Sequence, residues 1–281
     1  MNVKEYEFLK LKVNKLGGLS LDAYKSEQMM RRLDGYISRS GYAGVVPFCG
    51  AIERDNEALQ MLMNFLTINV SEFFRDAEQF KVLKTLVIPD LLRKSKSLNI
   101  WSAGCSIGAE PYSVAMMLAE LSPNGRHRIL ATDLDDQSLD RAQAGGPYSD
   151  SHLEQVASGT KLKNFSRSAD GYVVAPRFRA MVDFRRHNLL NDRFEQGFDL
   201  IMCRNVTIYF TEQTKVELNR KFVKSLNDDG VLFIGSTESL LDAQSLGLKR
   251  MFASFFRKDG STKSAKLAPA GAKAKTPAVS A

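Results

Sequence analysis

Over the first seventy residues the apolar positions recur every three or four residues. Val3, Tyr6, Leu9 and Val13 form one such stripe, which Gly17 and Gly18 stop. Met29, Leu33 and Ile37 form a second, ended by Gly41, with Lys25, Arg31, Arg32 and Arg39 among its polar positions. A short element around Pro47–Arg54 leads to a third stripe of Leu59, Leu62, Met63 and Leu66. Stripes of Met and Leu at this spacing are core, so residues 1–70 are expected to form a small all-helical domain. Residues 71–96 read as a linker and connecting helix.

From Ser97 the pattern becomes strand and helix in alternation. "LNIWSA", "RHRILAT", "MVDFRRHN", "FDLIMC" and "VLFIGS" are strand candidates. "EPYSVAMMLAEL" and "DDQSLDRAQA" are helices between them, and "KRMFASFFRK" suggests a closing antiparallel element. "TEQTKVELNRKFVKSLNDDG" reads as a helix with Thr211 as N-cap and Gly230 just past its end. This alternation predicts an α/β domain over 97–260, a mostly parallel sheet covered by helices on both faces. It lapses over about 145–181, where "FSRSADGYVVAPRF" reads as a small inserted hairpin turning near Asp170 and Gly171.

Composition narrows the class. The 281 residues are 44% hydrophobic and 25% charged, as in ordinary globular proteins. The first residues mix acids, lysines and apolar side chains, unlike a signal-peptide core, and no apolar run is long enough for a bilayer. Cys49, Cys105 and Cys203 stand singly, without metal-ligand spacing or a disulfide pattern. The net charge of +7 owes much to Lys263, Lys266, Lys273 and Lys275, which follow Gly260 in a segment free of acids. That segment, 261–281, lacks the apolar content to order itself and is expected to be a disordered tail. A cytoplasmic, monomeric protein with no membrane insertion, no metal and no stable nucleic-acid partner is the expectation.

In a parallel sheet, ligands sit beyond the carboxyl ends of the strands. The stretch "NIWSAGCSIGAEPYS" places Gly104 and Gly108 in a turn between strand and helix. Their spacing is not G-x-G-x-x-G, and no Gly-Lys-Ser/Thr follows, which weakens dinucleotide and P-loop readings. Glu110 at the mouth of that turn would repel a pyrophosphate but suits a cation. Asp133 ends the next strand, where an acid can accept two ribose hydroxyls. Asn188 follows the third strand, within reach of an adenine edge. Ribose, adenine and a cation without a phosphate site describe S-adenosylmethionine.

These residues resemble the CheR-type methyltransferases, which methylate glutamates on bacterial chemotaxis receptors. The resemblance runs from about residue 3 to 258 through "INVSEFFRD", "WSAGCSIGAEPYS", "ATDLDDQSLDRA", "HNLL", "CRNVTIYF" and "GVLFIGSTESL", in wording similar to the version of Gram-positive bacteria. It implies a Rossmann-like class I methyltransferase sheet with an inserted β-hairpin subdomain and a helical N-terminal domain. It also implies S-adenosylmethionine as cofactor, S-adenosylhomocysteine as product, and the cytoplasmic helices of methyl-accepting receptors as partners. By motif position, Asn69, Ser71, Arg75, Gly104, Glu110, Asp133, Asn188, Leu189, Arg204 and Asn205 are the implied cofactor contacts. Arg75 and Tyr209 are implied to face the reacting groups. Ser71 replaces a common Thr, and Ile107 and Ala109 stand where the family commonly has Thr and Glu.

Bland alternatives stand beside these roles. Phe73 and Phe74 read as packing residues. Asp76 with Gln79 reads as a helix-start pair, and Tyr209 also suits a core position. Arg31, Arg32 and Arg39 would steer acidic receptor helices, or form a solvated face. A non-catalytic cofactor-binding signalling protein and a methyltransferase for another substrate are the rival functions. "CRNVTIYF" lacks the prolines of the segment that base-methylating enzymes carry after the fourth strand.

Overall fold

A computed structural model describes residues 1–67, 71–240 and 242–260; Asn69 and the expected tail, 261–281, lie outside the described residues. Four helices open the chain: α1 (Val3–Gly17), α2 (Ser26–Arg39), α3 (Val45–Arg54) and α4 (Asn56–Thr67). α1 begins where the side chains of Asn2 and Glu5 accept each other's backbone N–H, at 3.0 and 2.7 Å. It ends at Gly18, whose φ of 69° turns its N–H back to the Asn14 carbonyl. The sequence stripes converge in one core that includes Tyr6, Leu9, Leu33, Phe48 and Leu62. Truncation there, such as Leu33→Ala, costs about 2–5 kcal/mol.

α5 (Ala77–Val82), a π-helical turn over Leu83–Val87 and α6 (Ile88–Lys94) follow as one connecting helix. Its Phe80, Leu83, Val87, Ile88 and Leu91 are buried among residues of the sheet. Then come β1 (Asn99–Ala103), α7 (Ala109–Leu121), β2 (Arg128–Asp133) and α8 (Asp136–Ala144). The inserted region holds α9 (Ser158–Asn164), β3 (Phe165–Ser168), β4 (Gly171–Val174) and α10 (Pro176–Arg179). The chain continues with β5 (Val182–Arg186), β6 (Phe198–Cys203), α11 (Glu212–Ser225), β7 (Leu226–Ile234), β8 (Leu248–Phe252) and β9 (Phe255–Lys258).

Seven strands form one sheet in the order β5-β2-β1-β6-β7-β9-β8, while β3 and β4 pair as a separate hairpin. β5, β2, β1, β6 and β7 are parallel; β9 runs against β7, and β8 against β9. Successive side chains feed opposite cores, Ile100 with Phe233 on one face and Trp101 with Phe222 on the other. The strand order reverses between β1 and β6, which opens a crevice at their carboxyl ends. No helix among the described residues is long and apolar enough to cross a membrane.

Two local readings are corrected. α11 stops at Ser225, and Leu226 is already extended and paired with Phe198. The register then jumps so that Leu200 meets Val231, and Asp229 in between has a φ of 64°. Gly230 marks this bulge rather than a helix end: a Cβ there would lie 2.9 Å from the Asn227 carbonyl and 3.0 Å from that of Phe198. Asp76 does stand at the N-cap of α5, but its side chain makes no capping bond. A stronger partner takes it, as the site shows.

Candidate active site

At the crevice the loops after β1, β2, β5 and β6 enclose a cavity of about 260 Å³. The connector before α5 and the helical domain complete its wall. Ser71, Arg75, Gly104, Glu110, Asp133, Asn188, Leu189, Arg204, Asn205 and Tyr209 all line it, although the sequence spreads them over 139 residues. Arg31, Arg32 and Arg39 do not line it.

The glycine turn is held by its neighbours. Gly104 has a φ of 80°, and a Cβ there would come 2.4 Å from Val206 Cγ2. Ser106, also left-handed at 48°, donates its N–H to Asp133 Oδ2 at 2.7 Å. Leu134 and Asp135 donate theirs to Oδ1 at 2.8 and 3.1 Å. Burial pushes the Asp133 carboxyl above its ordinary 3.8, while these three donors hold it down. The carboxylate is thereby locked in place, with a lone pair on Oδ2 left to accept a ligand hydroxyl.

Glu110 belongs to a buried network. Its carboxylate accepts from Ser102 Oγ at 2.8 Å and from Arg204 Nη1 at 3.2 Å. Arg204, only 6% exposed, also donates through Nη2 to the Arg75 carbonyl at 2.9 Å and to Asp76 Oδ2 at 2.8 Å. Its guanidinium carbon lies 4.6 Å from the Phe233 ring centroid and 5.2 Å from that of Phe80. Arg204 therefore ties the glycine turn to the connector, and this is the partner that draws Asp76 away from capping. Ser236 Oγ adds a bond to the same Asp76 oxygen at 3.1 Å.

The connector is correspondingly constrained. Phe74 and Asp76 have φ values of 55° and 61°, so both neighbours of Arg75 are left-handed. Such residues cost about 1–3 kcal/mol each and persist only where the surroundings impose them. Here Phe73 donates its N–H to the His152 carbonyl at 2.9 Å, and Phe74 to Ser113 Oγ at 3.0 Å. Phe73 is fully buried and packs edge-on against Tyr148, as the packing reading expects. Arg75 between them lines the cavity.

Asn188 bridges regions. Its Oδ1 accepts from the Leu190 N–H at 3.0 Å and its Nδ2 donates to the Gly18 carbonyl at 3.2 Å. Tyr209 lies in a short 3₁₀ turn over Thr207–Tyr209, braced by a residue that sequence reasoning left unassigned. Glu238 accepts from the N–H groups of Asn205 and Gly235 through Oε2, at 3.0 and 2.7 Å. Through Oε1 it accepts from the N–H and Oγ1 of Thr207, at 2.8 and 2.7 Å. Its sequence signals were an acid just after a buried strand and its place in "GVLFIGSTESL", to which no residue role was attached.

Tyr24 was also missed, because it falls between the stripes of the helical domain. It lines the cavity and packs edge-on against Phe210 at 4.9 Å. Burial, reinforced by the Asp133 charge, holds its hydroxyl well above the usual range, so it stays neutral. Cys105 lines the cavity as well, but burial and the charges of Asp133 and Glu110 push its thiol up and leave it inert.

The three arginines of α2 separate. Arg31 and Arg39 are exposed. Arg32 turns inward, donating through Nη2 to the Phe65 carbonyl at 2.8 Å with its guanidinium carbon 5.7 Å from the Tyr209 ring centroid. It is half-buried, unlike Arg31 and Arg39.

Three carboxylates, Glu72, Glu110 and Asp133, and two amides, Asn188 and Asn205, line the cavity, and its Arg204 is committed to Glu110 and Asp76. That donor set fits a ligand bearing a cation and vicinal hydroxyls better than a phosphate. A family model described as "CheR methyltransferase, SAM binding domain" matches residues 69–253. The chain is 39% identical over 256 residues to the chemotaxis protein methyltransferase of Listeria monocytogenes serovar 1/2a, covering 91% of this chain and 97% of the relative. The Listeria innocua protein of the same name is 40% identical with the same coverage. That of Escherichia coli strain K12 is 32% identical over 232 residues, 79% of each chain. A Rossmann-like sheet, an acid-lined cavity at its switch point and these matches place the chain in the CheR methyltransferase family, with its S-adenosylmethionine-binding domain.

Proposed function

We propose that this S-adenosylmethionine-dependent methyltransferase esterifies glutamate side chains on the cytoplasmic helices of methyl-accepting chemotaxis receptors. The observation that carries this reading is the convergence of Arg75 and Tyr209 with Glu110 and Asp133 on one cavity. When bound, S-adenosylmethionine supplies a methyl carbon activated by its sulfonium. Glu110 would hold the cationic methionine portion, Asp133 the ribose hydroxyls, and Asn188 with Leu189 the adenine side. Ser71, Gly104, Asn205 and Asn69 complete the proposed contacts, and Arg204 acts by fixing Glu110 and the Arg75 peptide.

A glutamate with a pKa of about 4.3 is already ionised near neutral pH, so the reaction needs no general base. What the protein must supply is alignment and a dry site. Arg75 would hold one carboxylate oxygen through its planar donors and leave the other to attack. Tyr209 would orient a reactant through its hydroxyl. Residues 1–70 serve as the docking domain in this reading, with Arg31 and Arg39 facing the receptor.

Labelled S-adenosylmethionine incubated with receptor-containing membranes tests the whole reading. Base-labile methyl esters on the receptor are the expected product. Cofactor binding without label transfer would mark a non-catalytic protein, and base-stable label would mark a different acceptor group.

A further inference from the structure

α2 carries Arg31 and Arg39 on its surface, but Arg32 between them is committed elsewhere. Its Nη2 donates to the Phe65 carbonyl at 2.8 Å, and its guanidinium carbon sits 4.9 Å from the Phe65 ring centroid and 5.7 Å from that of Tyr209. Its Nη1 is buried with no hydrogen-bond partner among the described residues. Leaving a buried donor unsatisfied is costly, and a methionine or leucine would cover Phe65 without that cost. The bond to the Phe65 carbonyl accounts for Nη2, and the guanidinium plane meets the Tyr209 ring as well.

The segment leading into α2 grips the backbone from Tyr209 to Thr211. Lys25 donates its N–H to the Tyr209 carbonyl at 3.0 Å, and Thr211 donates to the Ala23 carbonyl at 2.8 Å. Tyr24 and Phe210 form an antiparallel bridge between these two segments. The helical domain thus holds the Tyr209 segment through its backbone, and Arg32 is the side chain that reaches the ring.

We infer that Arg32 is a positioning residue, which fixes the Tyr209 ring at the cavity wall and makes the helical domain a working part of the active site. A guanidinium over an aromatic face is attracted to the ring quadrupole, and its planar fork lets one nitrogen anchor on Phe65 while the plane meets Tyr209. A lysine keeps the charge but not the fork. The inference rests on the reading that Tyr209 faces the reacting groups.

The test uses the full chain, labelled S-adenosylmethionine and receptor-containing membranes, with Arg32→Met, Arg32→Lys, Tyr209→Phe and the Arg32→Met/Tyr209→Phe double variant. Arg32→Met is expected to lower the single-turnover rate about tenfold, with Arg32→Lys recovering little of it. In the Tyr209→Phe background the same substitution should cost less than about twofold, because the hydroxyl it positions is gone. S-adenosylhomocysteine affinity, by calorimetry, should be unchanged and shows that the variants fold. The receptor KM should stay within about twofold and be insensitive to salt.

A salt-sensitive rise in KM would make Arg32 a docking residue and overturn the inference, as would an equal loss in both backgrounds. An independent arm incorporates 3-fluorotyrosine and follows the Tyr209 fluorine resonance, assigned by its loss in Tyr209→Phe. A shift in Arg32→Met is expected, and an unmoved resonance overturns the inference whatever the kinetics. If Tyr209→Phe alone keeps the wild-type rate, the role of Tyr209 in the reaction fails, and the resonance still decides whether Arg32 holds the ring.

Discussion

Arg75 is the side chain on which the proposed chemistry turns. It stands between two left-handed residues, and its own carbonyl is held by Arg204. Arg75→Ala should leave the fold intact, since the connector is fixed by Phe73, Phe74 and Asp76, yet lower single-turnover rates about 10²-fold or more. Lysine there should rescue poorly, because a point charge cannot orient a carboxylate as a planar fork does. Near wild-type rates with saturating cofactor would move carboxylate orientation to another residue. Glu110→Gln should weaken S-adenosylmethionine binding roughly tenfold more than S-adenosylhomocysteine binding, because only the former carries the sulfonium charge. Equal losses by calorimetry would show that Arg204 already neutralises Glu110 toward the ligand. Asp133 makes a pH prediction. Burial raises its folded pKa above 3.8, so on acidification it takes up a proton before a free aspartate would. Cofactor affinity should therefore fall as pH drops toward that raised value, and Asp133→Asn should weaken binding and remove the dependence. A wild-type affinity that stays flat on acidification would contradict Asp133 as the hydroxyl acceptor.

Among the elements, the turn after β6 decides the shape of the cavity wall. It has little regular hydrogen bonding of its own, and Asn205 within it is left-handed at 60°. One carboxylate gathers the donors of three backbone N–H groups and a hydroxyl from this turn and the loop after β7. Glu238→Gln keeps the shape but turns an NH₂ toward two of those donors. Stability should fall by about 1–3 kcal/mol, and cofactor affinity about tenfold, because Asn205 and the Tyr209 segment lose their anchor. Thermal unfolding and calorimetry on the same preparation check both. A stability loss with unchanged affinity would confine Glu238 to the fold.

For the whole molecule, the relation between the helical domain and the sheet is central. The two meet at the cavity, where Leu19, Tyr24 and Leu66 from one face Asp133, Asn188 and Tyr209 from the other. In the proposed docking, a receptor helix entering there would pass the exposed face of α2. Arg31→Glu combined with Arg39→Glu should raise the receptor KM several-fold at low salt and leave cofactor binding alone. The effect should shrink with added salt, since exposed charges are screened over about 10 Å at 0.1 M. An unchanged KM would move the docking surface elsewhere, to the β3–β4 hairpin for instance.

Much of this was legible in the sequence because it depends on neighbours a few residues apart. Helical stripes place Leu9, Leu33 and Leu62 in a core, and strand ends place Gly104, Asp133 and Asn188 on one rim, whatever the rest of the chain does. Residue type then carries the ligand chemistry, an acid for a cation and an acid for hydroxyls. What local pattern could not supply was the choice among competing partners. Asp76 stands at a helix start and would cap it, but Arg204, 128 residues later, offers a buried charge. A charge-assisted bond at low dielectric outweighs a cap at the surface. Arg31 and Arg32 are adjacent and chemically identical, yet a 100° step around α2 sends one to solvent and the other to Tyr209. Gly230 suits a helix end by type and a bulge by its surroundings, and only the approach of the Asn227 and Phe198 carbonyls selects the bulge. Periodicity thus fixes which residues are buried and which strands end at the site, while the identity of each partner is set when distant surfaces meet and the more strongly desolvated pairing wins.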